Sequence, residues 1–190
     1  FENTQLILTL YFTFLAFGQI ISGPFSDKYG RKPILLLGAS IYSISAFFAS
    51  LSSNIEILLI LRCFQGFGAA ACLSVGRTIL SDCYEIKEAA KEMSKMTAII
   101  AVIPISCFVF GGFLAEFLGW RTNLLALGLI SLILIIAMSF LLNETLIKKA
   151  KSISFKNMFI VYRVLLKNLS FNFFTITTAM QTSMFFAMNG

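Results

Sequence analysis

Residues 23–33 read GPFSDKYGRKP and place four charges, two prolines and two glycines within eleven residues. Apolar sequence lies on both sides, with LILTLYFTFLAFGQIIS at 6–22 and ILLLGASIYSISAFFASLS at 34–52. A charged turn between two long apolar runs is typical of a loop that joins two helices crossing a membrane. This stretch therefore predicts two membrane-spanning helices joined by a charged turn.

The composition fits the same interpretation over the whole chain. Of the 190 residues, 58% are hydrophobic and 13% are charged, whereas soluble domains carry about 25% charged residues. The apolar runs recur along the whole length, which excludes a soluble domain with one signal peptide or anchor. We expect an all-α, polytopic membrane protein, because only helices satisfy their own backbone groups in lipid over single runs of this length.

A helix needs about 20 mostly apolar residues to cross the hydrocarbon. Five complete spans are predicted, and a sixth begins near residue 169 and is cut at 190; the five cover 6–25, 34–52, 55–79, 94–114 and 122–142. The chain has no initiator Met and stops within an apolar run. We expect it to be a fragment of a longer protein.

The basic residues predict the orientation. Thirteen of the 15 lie in three alternate loop segments, 26–33, 77–95 and 143–168, while Arg121 lies on the other side and Arg62 within a span. The positive-inside rule puts those three loops in the cytoplasm. The net charge of +6 therefore serves topology and lipid head groups, and we expect no nucleic-acid partner.

Segment 143–168 has its own pattern. Its apolar residues recur at helical spacing and its basic residues take other faces, which predicts an amphipathic helix on the inner leaflet. The alternative is a solvated cytoplasmic loop. The predicted organisation is an N-terminal helical part at 1–142, this linker at 143–168, and the truncated first span of a second half at 169–190.

Within the charged turn, each residue type has a local role. Gly23 and Pro24 are predicted to close the first span, and Gly30 to take the left-handed conformation that a sharp turn needs. Asp27 is not needed for a plain loop; it can cap a helix N-terminus or pair with Arg31. Asp82, at the inner end of the 55–79 span, offers Arg31 a second acid. The alternative is a solvated hairpin.

Arg62 is the most informative residue inside a predicted span. An arginine at the centre of a span costs about 3 kcal/mol on insertion scales, so the guanidinium must face protein or water. Gln65 and Gly66 fall near the same helix face, and small residues let a neighbouring helix approach closely. The alternative is an arginine that snorkels to the outer interface.

The order of motifs resembles a known family. GPFSDKYGRKP is similar to the loop between the second and third helices of the major facilitator superfamily, through Gly23, Asp27, Gly30, Arg31 and Lys32. RCFQGFGAA (62–70), VGRTILSDCY (75–84), GGFLAEFLGWR (111–121) and NETL (143–146) resemble later motifs of that family. GQ (18–19), GP (23–24), QG (65–66) and GWR resemble its bicyclomycin-resistance (Bcr/CflA) drug-efflux branch.

This resemblance implies a fold and a function. The fold is a twelve-helix bundle in two halves with substrate between them, and this fragment runs from about helix two into helix seven. The implied function is proton-coupled export of small drug-like molecules across the bacterial inner membrane, by a protein that we expect to be a monomer when full length and to need no cofactor. The resemblance implies that Asp27 and Arg31 act as a latch that holds the cytoplasmic side closed. It also implies that Arg62 takes part in proton coupling. The alternatives are a membrane receptor or sensor, or a decayed gene product.

Two further groups of residues follow from the pattern. In the fifth helix of the family, Pro104 with Gly111 and Gly112 is expected to kink and pack the helix, although Cys107 and Phe108 replace an expected alanine-proline pair. In the last span, polar side chains share one stripe and are expected to line a substrate path: Thr178, Gln181, Thr182 and Asn189. Threonines in membrane helices often bond their own backbone instead.

Other chemistries lack a pattern in the sequence. The four cysteines have no paired spacing and histidine is absent, so no metal site is expected. The spans show no paired acids and no serine with a base, so we expect no enzyme. GFGAAA (66–71) matches a dinucleotide motif in letters only, because that motif needs a preceding strand and an open helix N-terminus.

Overall fold

The computed structural model describes residues 2–146 and 155–189. These residues form seven α-helices and no strand: α1 (Glu2–Tyr29), α2 (Arg31–Leu51), α3 (Ile55–Cys83), α4 (Ile86–Leu118), α5 (Trp120–Leu141), α6 (Phe155–Lys167) and α7 (Leu169–Asn189). The all-α prediction is therefore confirmed for the described residues. Lys148, Lys149 and Lys151, which the sequence analysis placed in the linker, lie outside them.

Helices α1 to α5 are each long and apolar enough to cross a membrane by length and composition. They correspond one by one to the five complete spans predicted from the sequence. The sixth predicted span corresponds to α7, which is helical over 21 residues but does not meet the same apolar criterion over its described residues.

The first helix ends later than predicted. Gly23 and Pro24 do not close it, because α1 continues to Tyr29 with Pro24 inside the helix. A single proline removes only one helical hydrogen bond, and membrane helices tolerate a proline where the surroundings satisfy the freed backbone group. Two residues further on, the Ser26 hydroxyl donates to the Gly23 carbonyl at 2.8 Å. The break comes at Gly30, whose φ of 112° is the positive value that the turn was expected to need.

Residues 1–151 form one compact unit in which α3 packs against both α1 and α2, α2 also packs against α5, and α5 against α4. A small apolar core lies where Ala49, Leu58 and Leu124 meet. Two serines tie α2 to α5: the Ser43 hydroxyl donates to the Gly128 carbonyl at 2.8 Å, and Ser131 donates to Ala39 at 3.1 Å. Small and hydroxylated residues thus bring these helices close, as is typical of membrane bundles.

Two glycines of α3 let two different helices approach. A β-carbon on Gly66 would meet the backbone carbonyl of Tyr11 in α1. A β-carbon on Gly68 would lie 2.6 Å from the carbonyl of Gly38 and 2.7 Å from the nitrogen of Tyr42, both in α2. Since backbone atoms cannot give way as a flexible side chain can, α3 needs glycine at both crossings.

Residues 152–190 form a second unit, which contains α6 and α7. Asn168 separates the two helices, and its side-chain oxygen accepts a hydrogen bond from the backbone N–H of Phe171 at 3.2 Å, as an N-cap does. In α6, Phe159, Val164 and Leu166 are exposed apolar side chains within this unit. The inner-leaflet location of this helix stays a prediction.

Candidate functional site

The first candidate site is the Arg31 cluster, which we define as Ser26, Asp27, Arg31, Asp82 and Glu144. Arg31 stands at its centre, with only 8% of its side chain exposed. Its Nη1 lies 2.6 Å from Asp27 Oδ1 and its Nε lies 2.9 Å from Asp82 Oδ2. Nη1 also donates to the Ser26 hydroxyl at 2.6 Å. The cluster therefore joins the end of α1, the start of α2 and the end of α3.

The two aspartates are not equivalent partners. The Asp27 side chain is 52% exposed, whereas that of Asp82 is 25% exposed. Screening by water weakens an exposed pair more than a sheltered one. Asp82 is therefore the stronger partner of Arg31, although Asp27 is the nearer one along the sequence.

Glu144 is the member of the cluster that the sequence analysis did not assign. Its Oε1 accepts hydrogen bonds from the backbone N–H of Arg31 at 2.9 Å and of Leu146 at 3.1 Å. A carboxylate at a helix N-terminus satisfies free N–H groups and opposes the positive end of the helix dipole. Glu144 thus caps α2 from the segment that follows α5. NETL at 143–146 resembles a family motif, but the sequence pattern indicates no partner for its carboxylate.

The surroundings of Glu144 change its acidity. Partial burial raises the pKa of its carboxyl group, but hydrogen bonds from backbone N–H groups lower it by more, so the net pKa lies below the usual value for glutamate. These N–H groups belong to Leu146, Arg31, Lys32 and Thr145. Glu144 is therefore ionised at neutral pH and adds a third negative charge beside Arg31.

The other predicted residues of the turn take different positions. Lys32 donates from Nζ to the Ser139 carbonyl at 2.8 Å, which ties the start of α2 to the end of α5. Gly23 lies within α1, and a β-carbon there would meet nothing within 4 Å. Lys32 is thus a further tie between α2 and α5, whereas Gly23 contributes only its backbone carbonyl, which accepts a hydrogen bond from Ser26 of the Arg31 cluster at 2.8 Å.

The second candidate site is the Arg62 cluster, which we define as Arg62, Gln65, Tyr11 and Tyr42. Arg62 Nη1 donates to Gln65 Oε1 at 3.0 Å, and Gln65 is completely buried. Both tyrosine side chains interact electrostatically with the guanidinium. Arg62 stands seven residues after the first residue of α3, about 10 Å along the helix at 1.5 Å per residue. The arginine therefore faces protein at depth.

The sequence predicts Arg62, Gln65 and Gly66 on one helix face, and the structure places these three together. Tyr11 and Tyr42 were missed, because tyrosines in apolar runs look like ordinary packing residues. The close helix approaches at Gly66 and Gly68 bring these two tyrosines to α3. The available signal was the pair of glycines at 66 and 68, which directly follows the polar residue Gln65 in the sequence.

The expected residues of α4 form no comparable cluster. The Gly111 carbonyl accepts a hydrogen bond from Asn123 Nδ2 of α5 at 2.9 Å. A β-carbon on Gly112 would meet nothing within 4 Å. The side chain of Pro104 lies outside the described part of the structure. Gly111 thus makes a contact between α4 and α5, and the kink stays a prediction.

The expected polar stripe of α7 is only partly described. Thr178 donates its hydroxyl hydrogen to the Phe174 carbonyl at 2.8 Å, and Thr175 does the same to Phe171 at 2.8 Å. Both threonines therefore bond their own helix, the alternative raised from the sequence. The side chains of Gln181, Thr182 and Asn189 lie outside the described part, and the substrate-lining role stays a prediction.

No group of three or more potential metal ligands occurs in the described residues. The four cysteines are free thiols.

The spans and the two clusters define the class of protein. The described structure is that of a multi-pass helical membrane protein, with an ion-pair network at one end of the bundle and an arginine held inside it.

Comparison with known proteins defines the family. Residues 2–190 match the model of the Major Facilitator Superfamily, and the chain belongs to this superfamily. Its members are transporters rather than enzymes, so the prediction of a non-enzymatic membrane protein is confirmed. Five spans, an all-α fold and this match together confirm a fragment of the superfamily fold.

Three relatives show the branch. The chain is 31% identical over 144 residues to the "Bicyclomycin resistance protein homolog" of Haemophilus influenzae, a match that covers 76% of the chain and 36% of that protein. It is 33% identical over 129 residues to the "Chloramphenicol resistance protein" of Pseudomonas aeruginosa, covering 67% and 31%. It is 27% identical over 174 residues to the "Multidrug resistance protein MdtL" of a Shewanella species, covering 87% and 44%.

These matches confirm the predicted resemblance to the bicyclomycin-resistance branch. The chain spans less than half the length of each of these relatives. The activity of the whole protein is therefore a matter for proposal.

Proposed function

We propose that the protein containing this chain is a secondary transporter of the bacterial inner membrane that exports small drug-like molecules against a proton gradient. Two lines of support come from the comparisons: the chain belongs to a family of transporters, and three similar bacterial proteins carry resistance to bicyclomycin, chloramphenicol or several drugs in their names. Bacterial relatives of a multi-pass protein favour the inner membrane as its location.

The observation that carries the proposal is the Arg62 cluster. A charged side chain inside a membrane span is costly and marks a substrate or ion pathway. Arg62 is kept there by a hydrogen bond to Gln65, a fully buried partner. A bundle that served only as an anchor would gain nothing from such a residue, whereas a carrier needs polar groups where substrate crosses.

Alternating access is supported by the Arg31 cluster. Its charges hold together the ends of helices α1, α2 and α3 and the segment after α5. An ion-pair network at one end of a bundle stabilises one arrangement of those ends over others, so it can bias a two-state equilibrium. We assign it the latch role, with Gly30 providing the turn. Arginine does not deprotonate in proteins, so Arg62 responds to a proton carried by another group.

Export is tested with the full-length protein expressed in bacterial cells that lack their own drug pumps. Cells with the wild-type protein should accumulate less chloramphenicol than cells without it, and a protonophore should abolish the difference. Arg62→Ala should abolish export, while the control Phe64→Ala should not, because Phe64 is an exposed neighbour on another face of α3. Equal membrane levels of all variants must be verified by immunoblotting.

The same experiment separates the alternatives. A protein that binds chloramphenicol but leaves its accumulation unchanged is a receptor or sensor. A protein that inserts normally but neither binds nor exports any tested drug is an inactive gene product. Export that persists in the presence of a protonophore would contradict proton coupling, but not transport.

A further inference from the structure

We infer that the Arg62 cluster is a binding site for oxygen acceptors, and that it selects uncharged or anionic substrates rich in carbonyl or nitro oxygens over lipophilic cations. This inference rests on the proposed function and names the substrate class of the same site. The inference is based on two properties of the cluster: the numbers of its hydrogen-bond donors and acceptors, and the positive charge of Arg62.

The cluster has more donors than acceptors. A guanidinium has five N–H donors and no acceptor, and a glutamine side chain has two donors and one acceptor group. The acceptor of Gln65 is already used by Arg62 Nη1, at 3.0 Å. Arg62 Nε is buried and has no hydrogen-bond partner among the described residues, while Gln65 Nε2 is buried beside the Tyr42 hydroxyl. Within the described residues, the cluster therefore offers more donors than acceptors.

A missing acceptor at this place has a physical cost. Buried polar groups are nearly always hydrogen-bonded, and a buried donor without a partner is destabilising. Arg62 Nε is such a donor among the described residues. A ligand oxygen that bonds to this donor would remove that cost, so the site favours molecules that bring acceptors.

The position of the cluster suits a ligand. Gln65 is buried beside it, while Arg62, Tyr11 and Tyr42 are only half-buried, so the described helices do not enclose the guanidinium completely. The two tyrosines come from α1 and α2, and the glycines at 66 and 68 let both helices approach α3 closely. Three helices therefore hold the donors in place before a ligand arrives, which lowers the entropy lost on binding.

The positive charge of Arg62 disfavours the binding of cations. Among the residues that the structure describes, the acids that form ion pairs do so with Arg31 or Lys95, and Arg62 forms none. Tyr42 lies beside both Gln65 and Arg62, and its neutral phenol does not cancel the charge. A cation near Arg62 would meet repulsion that the surrounding apolar medium screens poorly. An anion or a neutral acceptor would meet attraction.

The test compares two probes by equilibrium binding to the purified full-length protein in detergent. Chloramphenicol is uncharged and carries amide and nitro oxygens, whereas ethidium is a permanent lipophilic cation. We expect tighter binding of chloramphenicol by about tenfold or more, the effect of one hydrogen bond from a charged donor. Equal affinities, tighter binding of ethidium, or no binding of chloramphenicol would overturn the inference.

Variants then locate the selectivity. Arg62→Gln should weaken chloramphenicol binding by about tenfold or more and strengthen ethidium binding. Gln65→Glu should act in the same direction, because a carboxylate would occupy the arginine donors and cancel the charge. Phe64→Ala should change neither affinity. Unchanged chloramphenicol affinity in a folded Arg62→Gln protein would show that the guanidinium does not bind the ligand, which also overturns the inference.

The binding and export experiments can distinguish a failure of the inferred substrate class from a failure of the proposed transport function. If the protein exports both compounds and binds them equally, transport stands and the substrate class is wrong. If cells show no export although chloramphenicol binds selectively, the site is correct and transport is wrong. The wild-type affinity ratio needs no variant, so misfolding of Arg62→Gln would not protect the inference.

Discussion

The Glu144 carboxylate lies against Gly30 in the space where a β-carbon would stand. Gly30 has φ 112° and ψ 156°, a backbone conformation that is nearly restricted to glycine. The residue that follows, Arg31, donates its backbone N–H to the same carboxylate at 2.9 Å. The turn between α1 and α2 and the segment after α5 are thus joined at a position where any other residue would be in the way.

Gly30→Ala should destabilise the protein for two reasons. The backbone conformation costs about 1–3 kcal/mol for a residue with a β-carbon, and that β-carbon would also displace Glu144 from the N-terminus of α2. The loss is measured as a lower thermal unfolding midpoint of the purified full-length protein in detergent.

Two other glycines provide matched controls for Gly30→Ala. Gly119 also has a positive φ, of 86°, but a β-carbon there would meet nothing within 4 Å, so Gly119→Ala should show the backbone cost alone. Gly23 is helical with free space around it, and Gly23→Ala should not destabilise. Equal losses at Gly30 and Gly119 would show that the Glu144 contact contributes nothing.

The lowered pKa of Glu144 predicts a pH dependence of stability. A carboxyl group whose pKa is lower in the folded state stabilises that state at pH values above its unfolded pKa, about 4.3 for glutamate. This contribution is lost as the pH falls through the lower folded pKa. The difference in unfolding midpoint between wild type and Glu144→Gln should be constant from about pH 6 to 8 and shrink below about pH 4. A difference that stays constant down to pH 3 would contradict the assigned role.

Asp82→Asn should impair transport more than Asp27→Asn does. Both aspartates bind Arg31, but Asp82 is more sheltered from water, and an exposed pair contributes at most about 1 kcal/mol. Asp27→Asn should still lower export while leaving membrane insertion intact. Export is measured as drug accumulation in cells, with membrane levels checked by immunoblotting.

The ion pair of Glu92 and Lys95 provides a control for the two aspartates. It has a short distance of 2.6 Å but is confined to one helix, α4. Glu92→Gln should therefore leave export unchanged. Normal export by Asp82→Asn would refute the latch role of the cluster, and a larger defect in Asp27→Asn than in Asp82→Asn would refute the ranking by exposure.

The sequence predicted the spans well because bilayer thickness is a one-dimensional constraint on the length of apolar runs. It led to Asp27 as a partner of Arg31 because residues four apart can pair locally, and to Asp82, 51 residues away, because both were expected on the same side of the membrane. These parts of the site follow from spacing and topology alone.

The remaining parts needed the three-dimensional helix crossings. Glu144 lies 113 residues from Arg31 and binds its backbone N–H, so no side-chain pattern reports the contact. Tyr11 and Tyr42 reach Arg62 only because glycines let α1 and α2 approach α3. The sequence predicts the end of α1 too early, because proline commonly ends a helix, whereas α1 continues to Tyr29.

The orientation predicted from the basic residues is tested by cysteine labelling. Residue 148 lies outside the described residues, but its loop carries many of the basic residues and is expected in the cytoplasm. In a background without native cysteines, Lys148→Cys should react with an impermeant maleimide only after the cells are opened. Ser53→Cys, in the exposed turn after α2, should react in intact cells. The reverse pattern would overturn the topology.

The close approach of α1 to α3 is tested by adding one methyl group at either of two glycines of α3. A β-carbon on Gly66 would meet the backbone of Tyr11 and Leu15, so Gly66→Ala should push the helices apart and cost about 1–3 kcal/mol. Gly76→Ala has free space and should be neutral or gain up to about 1 kcal/mol from helix propensity. The readout is the unfolding midpoint in detergent together with chloramphenicol affinity, because Tyr11 is a member of the Arg62 cluster. A stable Gly66→Ala protein with wild-type affinity would show that this approach is not required.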